Sequence, residues 1–363
     1  MRLRDTKPEL MRRTEPLYRM LMNGELPIYV LGTNETGRKL ADVLSSLSRA
    51  PEAFVNDCES IAQFCGRPVT RTSDLPHKAI VVSCSTAVRP VEALRRLESA
   101  SIEYVLDYFS LYLLGNGHFP APKFCTENIS DIESNWAKYE WLETLLADDI
   151  SKSTLRRLIE FRYNFDLAPM AEFQTRLETQ YFEPFVPLAG VQHFVDGGGF
   201  DGKTTETFVQ KCPHHSRVDY VEPDPLLMLS SKKRLGRFER IHYHETALSD
   251  RSGEAHFQQT GTGSGAIRKT GNLRVRTSRL DDLMAEAPTF VKLDIEGAEV
   301  SALAGATRII SGSHPALAVC VYHRQSDFWR VPEKVLSLHP AYTVFLRHYT
   351  EGVEETVMYF VHA

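Results

Sequence analysis

No apolar run in this 363-residue chain approaches the roughly 18–20 residues needed to span a bilayer. The N-terminal segment MRLRDTKPELMRR is basic but has no apolar stretch behind it, so it does not read as a secretory signal. Cysteine is sparse and scattered: Cys58, Cys65, Cys84, Cys125, Cys212 and Cys320 include no CxxC pair. Structural zinc and a disulfide framework are therefore not expected, and a reducing, cytoplasmic location is. Neither sign of charge dominates. Lys+Arg number 42 against Asp+Glu 47, a net charge of -5, which points away from nucleic acid and anionic membrane surfaces as partners. Glycine is missing from the whole of 127–185.

Hydrophobic residues make up 42% of the chain, enough for two cores. Strand-like runs alternate with helical patterns in two series, the sign of parallel α/β sheets. The first runs from PIYVLGTNE at 27–35 to EYVLDYF at 103–109, and turn residues follow at Gly115-Asn116-Gly117. The second starts at QHFVDGGG, 192–199, and reaches ALAVCVYH, 316–323. The chain closes in two β-rich runs around Gly352, read as a terminal hairpin across which Arg347-His348-Tyr349 and Glu355-Thr356 either shape the acceptor pocket or simply pair, Arg347 with Glu355. Between the series, Trp136, Tyr139, Trp141, Leu142, Leu145 and Leu146 recur at helical spacing. These patterns predict an α/β protein of three regions: a Rossmann-like domain at 1–120, a helical connector at 121–188 and a larger α/β domain at 189–363.

The turn Asp196-Gly197-Gly198-Gly199-Phe200-Asp201-Gly202 follows a strand and precedes a helical run, TTETFVQKC, that opens at Thr204. Glycines there let the backbone approach a ligand. Asp196 and Asp201 would repel a dinucleotide pyrophosphate. They would suit a ligand carrying an ammonium and a sulfonium, S-adenosylmethionine. Glu222, 20 residues after Gly202 and followed by Pro223, ends the next strand, where a carboxylate reaches ribose hydroxyls.

FVDGGGFDGKTTETF, YVEPDP, ETALSDRSGEAHF, SRLDDL, FVKLDIEGAE and the tail from VYHRQSDFW to RHYTEGVEETVMY resemble the FkbM family of S-adenosylmethionine-dependent methyltransferases. The resemblance covers roughly 180–363. It implies a class I methyltransferase domain, a Rossmann-like seven-stranded sheet with a terminal antiparallel hairpin. It implies methylation of an oxygen, often a sugar hydroxyl of a polysaccharide, glycolipid or natural product. By motif, Asp196, Gly197, Gly199 and Gly202 would hold the methionine part and Glu222 the ribose. Thr246, Ala247, Leu248, Ser249 and Asp250 would meet the adenine, and the VKLDIEGAE segment with Tyr322-His323 would face the reaction centre.

Transfer of a methyl group to a hydroxyl needs alignment and a proton acceptor. Asp294 ends the strand FVKLD, with Lys292 before it and Glu296 and Glu299 after. Such a group forms a base with its partners or part of a Mg²⁺ site. His323 ends the next strand and is the candidate base, because its ordinary pKa of about 6.5 lies near working pH. His242 and His244 share a strand face but lack a third ligand nearby, and His214-His215 reads as a solvated loop. A second glycine turn, Val30 to Gly37, with Asp57 20 residues on, is thinner than a dinucleotide fingerprint. It suggests a degenerate domain for acceptor binding, lid formation or dimerisation. A nicotinamide-dependent oxidoreductase using that turn and a non-catalytic cofactor- or glycan-binding adaptor are the competing functions. The partners expected are a small-molecule or glycan acceptor and a second copy of the chain.

Overall fold

In a computed structural model describing residues 3–259 and 265–362, the two α/β series form separate sheets. Contacts divide the chain into two units, residues 1–134, 153–177 and 348–355 in one, and 135–152, 178–347 and 356–363 in the other. The region 121–188 is thus shared between the units rather than forming a body of its own. It is helical through Asn164, in helices Asn128–Ser134, Trp136–Leu145 and Asp149–Asn164, and then breaks into 3₁₀ turns.

The first unit holds a six-stranded sheet. Its strands are β1 (Ile28–Leu31), β2 (Ala53–Val55), β3 (Gln63–Phe64), β4 (Arg67–Thr70), β5 (Ile80–Ser83) and β6 (Tyr104–Asp107), in the order β3-β4-β2-β1-β5-β6. Val30, Leu40, Leu44, Phe54, Ile80 and Val82 form its main core. Each such apolar side chain contributes roughly 1.5–3 kcal/mol on burial. The helix Lys7–Asn23, started by Pro8 and ended by Gly24 in the left-handed region (φ 80), has no counterpart in the sequence reading.

The second unit carries two sheets. Its strands are β7 (His193–Gly197), β8 (Arg217–Val221), β9 (Ile241–His244), β10 (Ala247–Leu248), β11 (Gly253–Gln258), β12 (Ala266–Ile267), β13 (Leu273–Ser278), β14 (Phe290–Leu293), β15 (Ala316–Cys320), β16 (Thr343–His348) and β17 (Thr356–Val361). The larger sheet has seven strands in the order β16-β17-β15-β14-β7-β8-β9. Its strands β9, β8, β7, β14 and β15 are parallel, and β17 runs antiparallel to β15. The smaller sheet has the order β10-β13-β11-β12. In the larger sheet the chain order reverses at β14/β7, so the segments after β7, β8, β14 and β15 gather at one end. Ligands of open α/β sheets bind at such a place.

Candidate functional site

The glycine turn after β7 is shaped by its protein neighbours. A Cβ on Gly198 would lie 1.9 Å from the Asp294 carbonyl oxygen, and one on Gly199 would lie 2.0 Å from the Tyr220 ring. Gly198 also has φ +75, where side chains are strained. Turn and Asp294 backbone are therefore in direct contact, which joins the β7 and β14 ends into one site.

Asp196 is fully buried, and β7/β14 register sets it opposite Lys292. Lys292 Nζ donates to Asp196 Oδ1 at 2.9 Å and to the carbonyls of Gly197 at 3.2 Å and Gly198 at 2.7 Å. Thr205 Oγ1 donates to Asp196 Oδ2 at 2.7 Å. Burial opposes the Lys292 charge, but Asp196 and Asp294 override it and raise its pKa. All three ammonium donors are spent on protein oxygens. Asp196 thus faces a buried counter-ion, and the expectation of two ligand-facing carboxylates does not hold. Asp201 accepts from the Lys203 N–H at 3.0 Å and pairs with Arg234 at 3.2 Å. The sequence candidate Thr204 is half-buried, and it is its neighbour Thr205 that bonds Asp196. Gly202 caps the helix, and Phe200 stands 42% exposed at the turn's tip.

Glu222, just beyond β8, is buried. Its Oε2 accepts from the Phe200 N–H at 3.1 Å and its Oε1 from the Asp224 N–H at 2.9 Å. Burial pushes the carboxyl up to about 7, against the pull of those two N–H groups. A carboxylate oxygen has more than one acceptor position, so both retain capacity for hydroxyl donors. Pro223 is half-buried beside it, and Asp224 caps the helix Pro225–Leu235. Ala247 and Leu248 are buried in β10.

A second cluster lies at the ends of β14 and β15. His323 is buried, with Nδ1 2.9 Å from Glu299 Oε1 and Nε2 3.5 Å from Asp294 Oδ1 and 3.9 Å from Glu296 Oε1. Burial disfavours the charged ring, yet the three carboxylates prevail and raise its pKa to about 9. At neutral pH His323 is therefore an imidazolium rather than the near-neutral ring the sequence suggests. Asp294 accepts from Tyr181 Oη at 2.9 Å and Tyr322 Oη at 3.3 Å. Burial works to raise its carboxyl, but Lys292, His323 and Tyr181 hold it below the usual range. Glu296 sits at φ 55, a left-handed conformation uncommon outside glycine. Burial and Glu299 push the nearby Asp327 up to about 7, against His323 and Arg324.

Tyr181 escaped the sequence reading. It lies 113 residues before Asp294, in the 3₁₀-rich stretch, and no local pattern marks it. Asp294, Glu299 and His323 each offer an atom within 4.8 Å of the others, but the set does not suit Mg²⁺. That ion takes oxygen ligands in octahedral geometry, whereas one of these three groups is an imidazole. A cavity of about 470 Å³ opens beside Glu296 and Asp327, lined also by Asp250, Arg251, Arg324 and Arg330.

Other candidates fall outside this site. His244 and His193 both bond Asp219, at 2.6 and 2.5 Å, so His244 serves a buried carboxylate. His215 is buried, its Nδ1 2.8 Å from the Cys212 carbonyl, rather than solvated. Arg347 bonds Asp148 at 2.6 Å and Ser151 at 2.8 Å. In the first unit Asp57 bonds Thr72 Oγ1 at 2.7 Å and Arg96 at 2.5 Å. Asn34 caps the Gly37 N–H at 2.9 Å. Side chains thus occupy both landmarks of the first glycine turn.

Residues 191–351 match the Methyltransferase FkbM domain model. The 2-O-methyltransferase NoeI of Sinorhizobium fredii (strain NBRC 101917 / NGR234) is 27% identical over 194 residues, covering 45% of this chain and 77% of its own. The crystal structure of the methyltransferase FkbM from Methylobacillus flagellatus KT shares the fold, with TM-score 0.75 and 22% identity, over 98% of each chain. No helix among the described residues is long and apolar enough to cross a membrane. The segment 191–351 thus matches an FkbM-type methyltransferase domain, and the protein is a methyltransferase.

Proposed function

We propose that the protein is an S-adenosylmethionine-dependent O-methyltransferase acting on a sugar hydroxyl of a polysaccharide, glycolipid or natural-product precursor. The observation that carries this reading is the direct contact of the Gly198 turn with Asp294, beside the buried His323. The seven-stranded sheet with antiparallel β17 suits a class I methyltransferase layout. When bound, S-adenosylmethionine supplies an electrophilic methyl group. Glu222 would hold its ribose hydroxyls, the turn from Gly197 to Gly202 its methionine part, and residues 246–250 its adenine. The relative NoeI is by name a 2-O-methyltransferase, which favours an oxygen acceptor.

Asp294 is the more exposed member of the proton-handling pair, with 23% of its side chain accessible against 1% for His323. It would accept the acceptor hydroxyl's hydrogen bond and orient it. His323 would take the proton, and Glu299 would stabilise the resulting imidazolium. Lys292 is assigned to positioning, because its donors are filled by Asp196 and the turn. The first unit is assigned to acceptor binding on a Rossmann-like scaffold. It has a cavity of about 470 Å³ lined by Arg89, Glu92, Arg95, Phe173 and Glu351, within the usual range for small ligands. Exposed free Cys58 and Cys65 suit a reducing compartment.

The test is transfer of labelled methyl from S-adenosylmethionine to a panel of saccharides, with product position read by NMR. Label on a sugar oxygen, lost in Asp294→Asn, is expected. Label on nitrogen or carbon, or none while the protein binds S-adenosylhomocysteine, overturns the acceptor assignment.

A further inference from the structure

Three histidines from three elements meet at one end of the larger sheet. His314 stands just before β15, His339 just after the helix Asp327–Leu338, and His362 just after β17. β17 runs antiparallel to β15 with Leu317 opposite Phe360, so the end of one strand lies beside the start of the other. Ring centroids are 3.6 Å apart for His314 and His339, 5.0 Å for His339 and His362, and 5.2 Å for His314 and His362. One nitrogen from each ring lies within 4.8 Å of those from the other two.

The group is braced from behind. Tyr342 Oη donates to the Pro315 carbonyl at 2.7 Å, and its ring stands edge-on to His339 at 5.1 Å. His314 Nε2 lies 3.0 Å from the Ser311 carbonyl. A carbonyl only accepts, so Nε2 carries the proton and Nδ1 is left with a lone pair. Fixing one imidazole nitrogen on a carbonyl is how proteins set the tautomer of a metal-binding histidine. His339 Nε2 is buried without a hydrogen-bond partner among the described residues.

We propose that His314, His339 and His362 form a binding site for one divalent transition-metal ion of the zinc class, separate from the methyl-transfer site. Neutral imidazoles favour Zn²⁺, Cu²⁺ or Ni²⁺ over Mg²⁺ and Ca²⁺. Three protein ligands leave a fourth tetrahedral position for water. Bonds of about 2.0–2.1 Å require the nitrogens to close in and the His314–His339 stack to open. The broad terminal torsion of histidine allows that movement. His323 follows the opposite end of β15, and the strand alone separates the two clusters by roughly 16 Å. An ion here would tie β15, β17 and the 327–338 helix together rather than take part in methyl transfer.

The experiment titrates the full chain with Zn²⁺ alone by calorimetry and follows Co²⁺ by visible absorbance. Wild type is expected to bind one ion at this site with tetrahedral Co²⁺ bands and a rise in Tm. His362→Ala and His339→Ala should each lose more than the roughly 10–100-fold that removal of an outer-shell partner costs. His314→Asn, which tolerates the left-handed backbone at φ 49, should behave alike. Methyl transfer by His362→Ala should equal wild type. Absence of Zn²⁺ binding by wild type, or unchanged affinity and stoichiometry in all three variants, overturns the proposal.

Discussion

His323 Nδ1 lies 2.9 Å from Glu299 Oε1, and the same oxygen takes the Ile295 N–H at 3.0 Å. The carboxylate is thereby fixed at the start of the helix Glu299–Ala304, and the imidazole is fixed to it. This pairing makes His323 a strong base that is mostly protonated at rest. With a pKa of about 9, about one ring in a hundred is neutral at pH 7.

The pH–rate profile follows. If His323 takes the acceptor proton, kcat/KM should climb about tenfold per pH unit and level off near pH 9. His323→Ala should lose that limb and about 10²–10⁴-fold in rate while keeping S-adenosylhomocysteine affinity. A profile flat from pH 6 to 9 would transfer the base role to Asp294, whose carboxyl is already ionised there.

The same pairing links stability to pH. The folded pKa of His323 exceeds its unfolded value of about 6.5, so its contribution is complete below pH 6.5. It is lost as pH rises toward 9, by roughly 3 kcal/mol in all. Urea unfolding of wild type and His323→Gln across that window should show the fall in wild type and its absence in the variant. Parallel curves would mean the ring is not protonated in the fold.

Lys292→Met should destabilise the protein by about 3–5 kcal/mol, because it leaves Asp196 buried without its cation. Pairing it with Asp196→Asn should restore much of that loss in the unfolding midpoint. A Lys292→Met protein of normal stability but without turnover would instead make Lys292 a proton carrier.

Much of the scaffold was legible because buried parallel strands read as short apolar runs. β7, β8, β14 and β15 are such runs, and Glu222, Asp294 and His323 stand at their ends. Pairing was not legible. Asp196 meets Lys292 only because the β7/β14 register sets them opposite, and sequence gives no register. The effect was to turn an apparent ligand-facing anion into half of a buried ion pair. Tyr181 reaches Asp294 through tertiary packing from a backbone at φ 69. The His323 pKa depends on Glu299, 24 residues earlier.

In the proposed site, Glu222 and the β7 turn would hold the cofactor. The most direct measurement is calorimetric titration with S-adenosylhomocysteine from pH 5.5 to 8.5. Burial raises the Glu222 carboxyl to about 7, and ribose hydroxyls donate to the ionised form, so affinity should strengthen as pH rises through 7. Glu222→Gln should bind more weakly by roughly 1.5–3 kcal/mol at pH 8 and lose that pH dependence. Wild-type affinity retained by Glu222→Gln at every pH would contradict this placement of the cofactor.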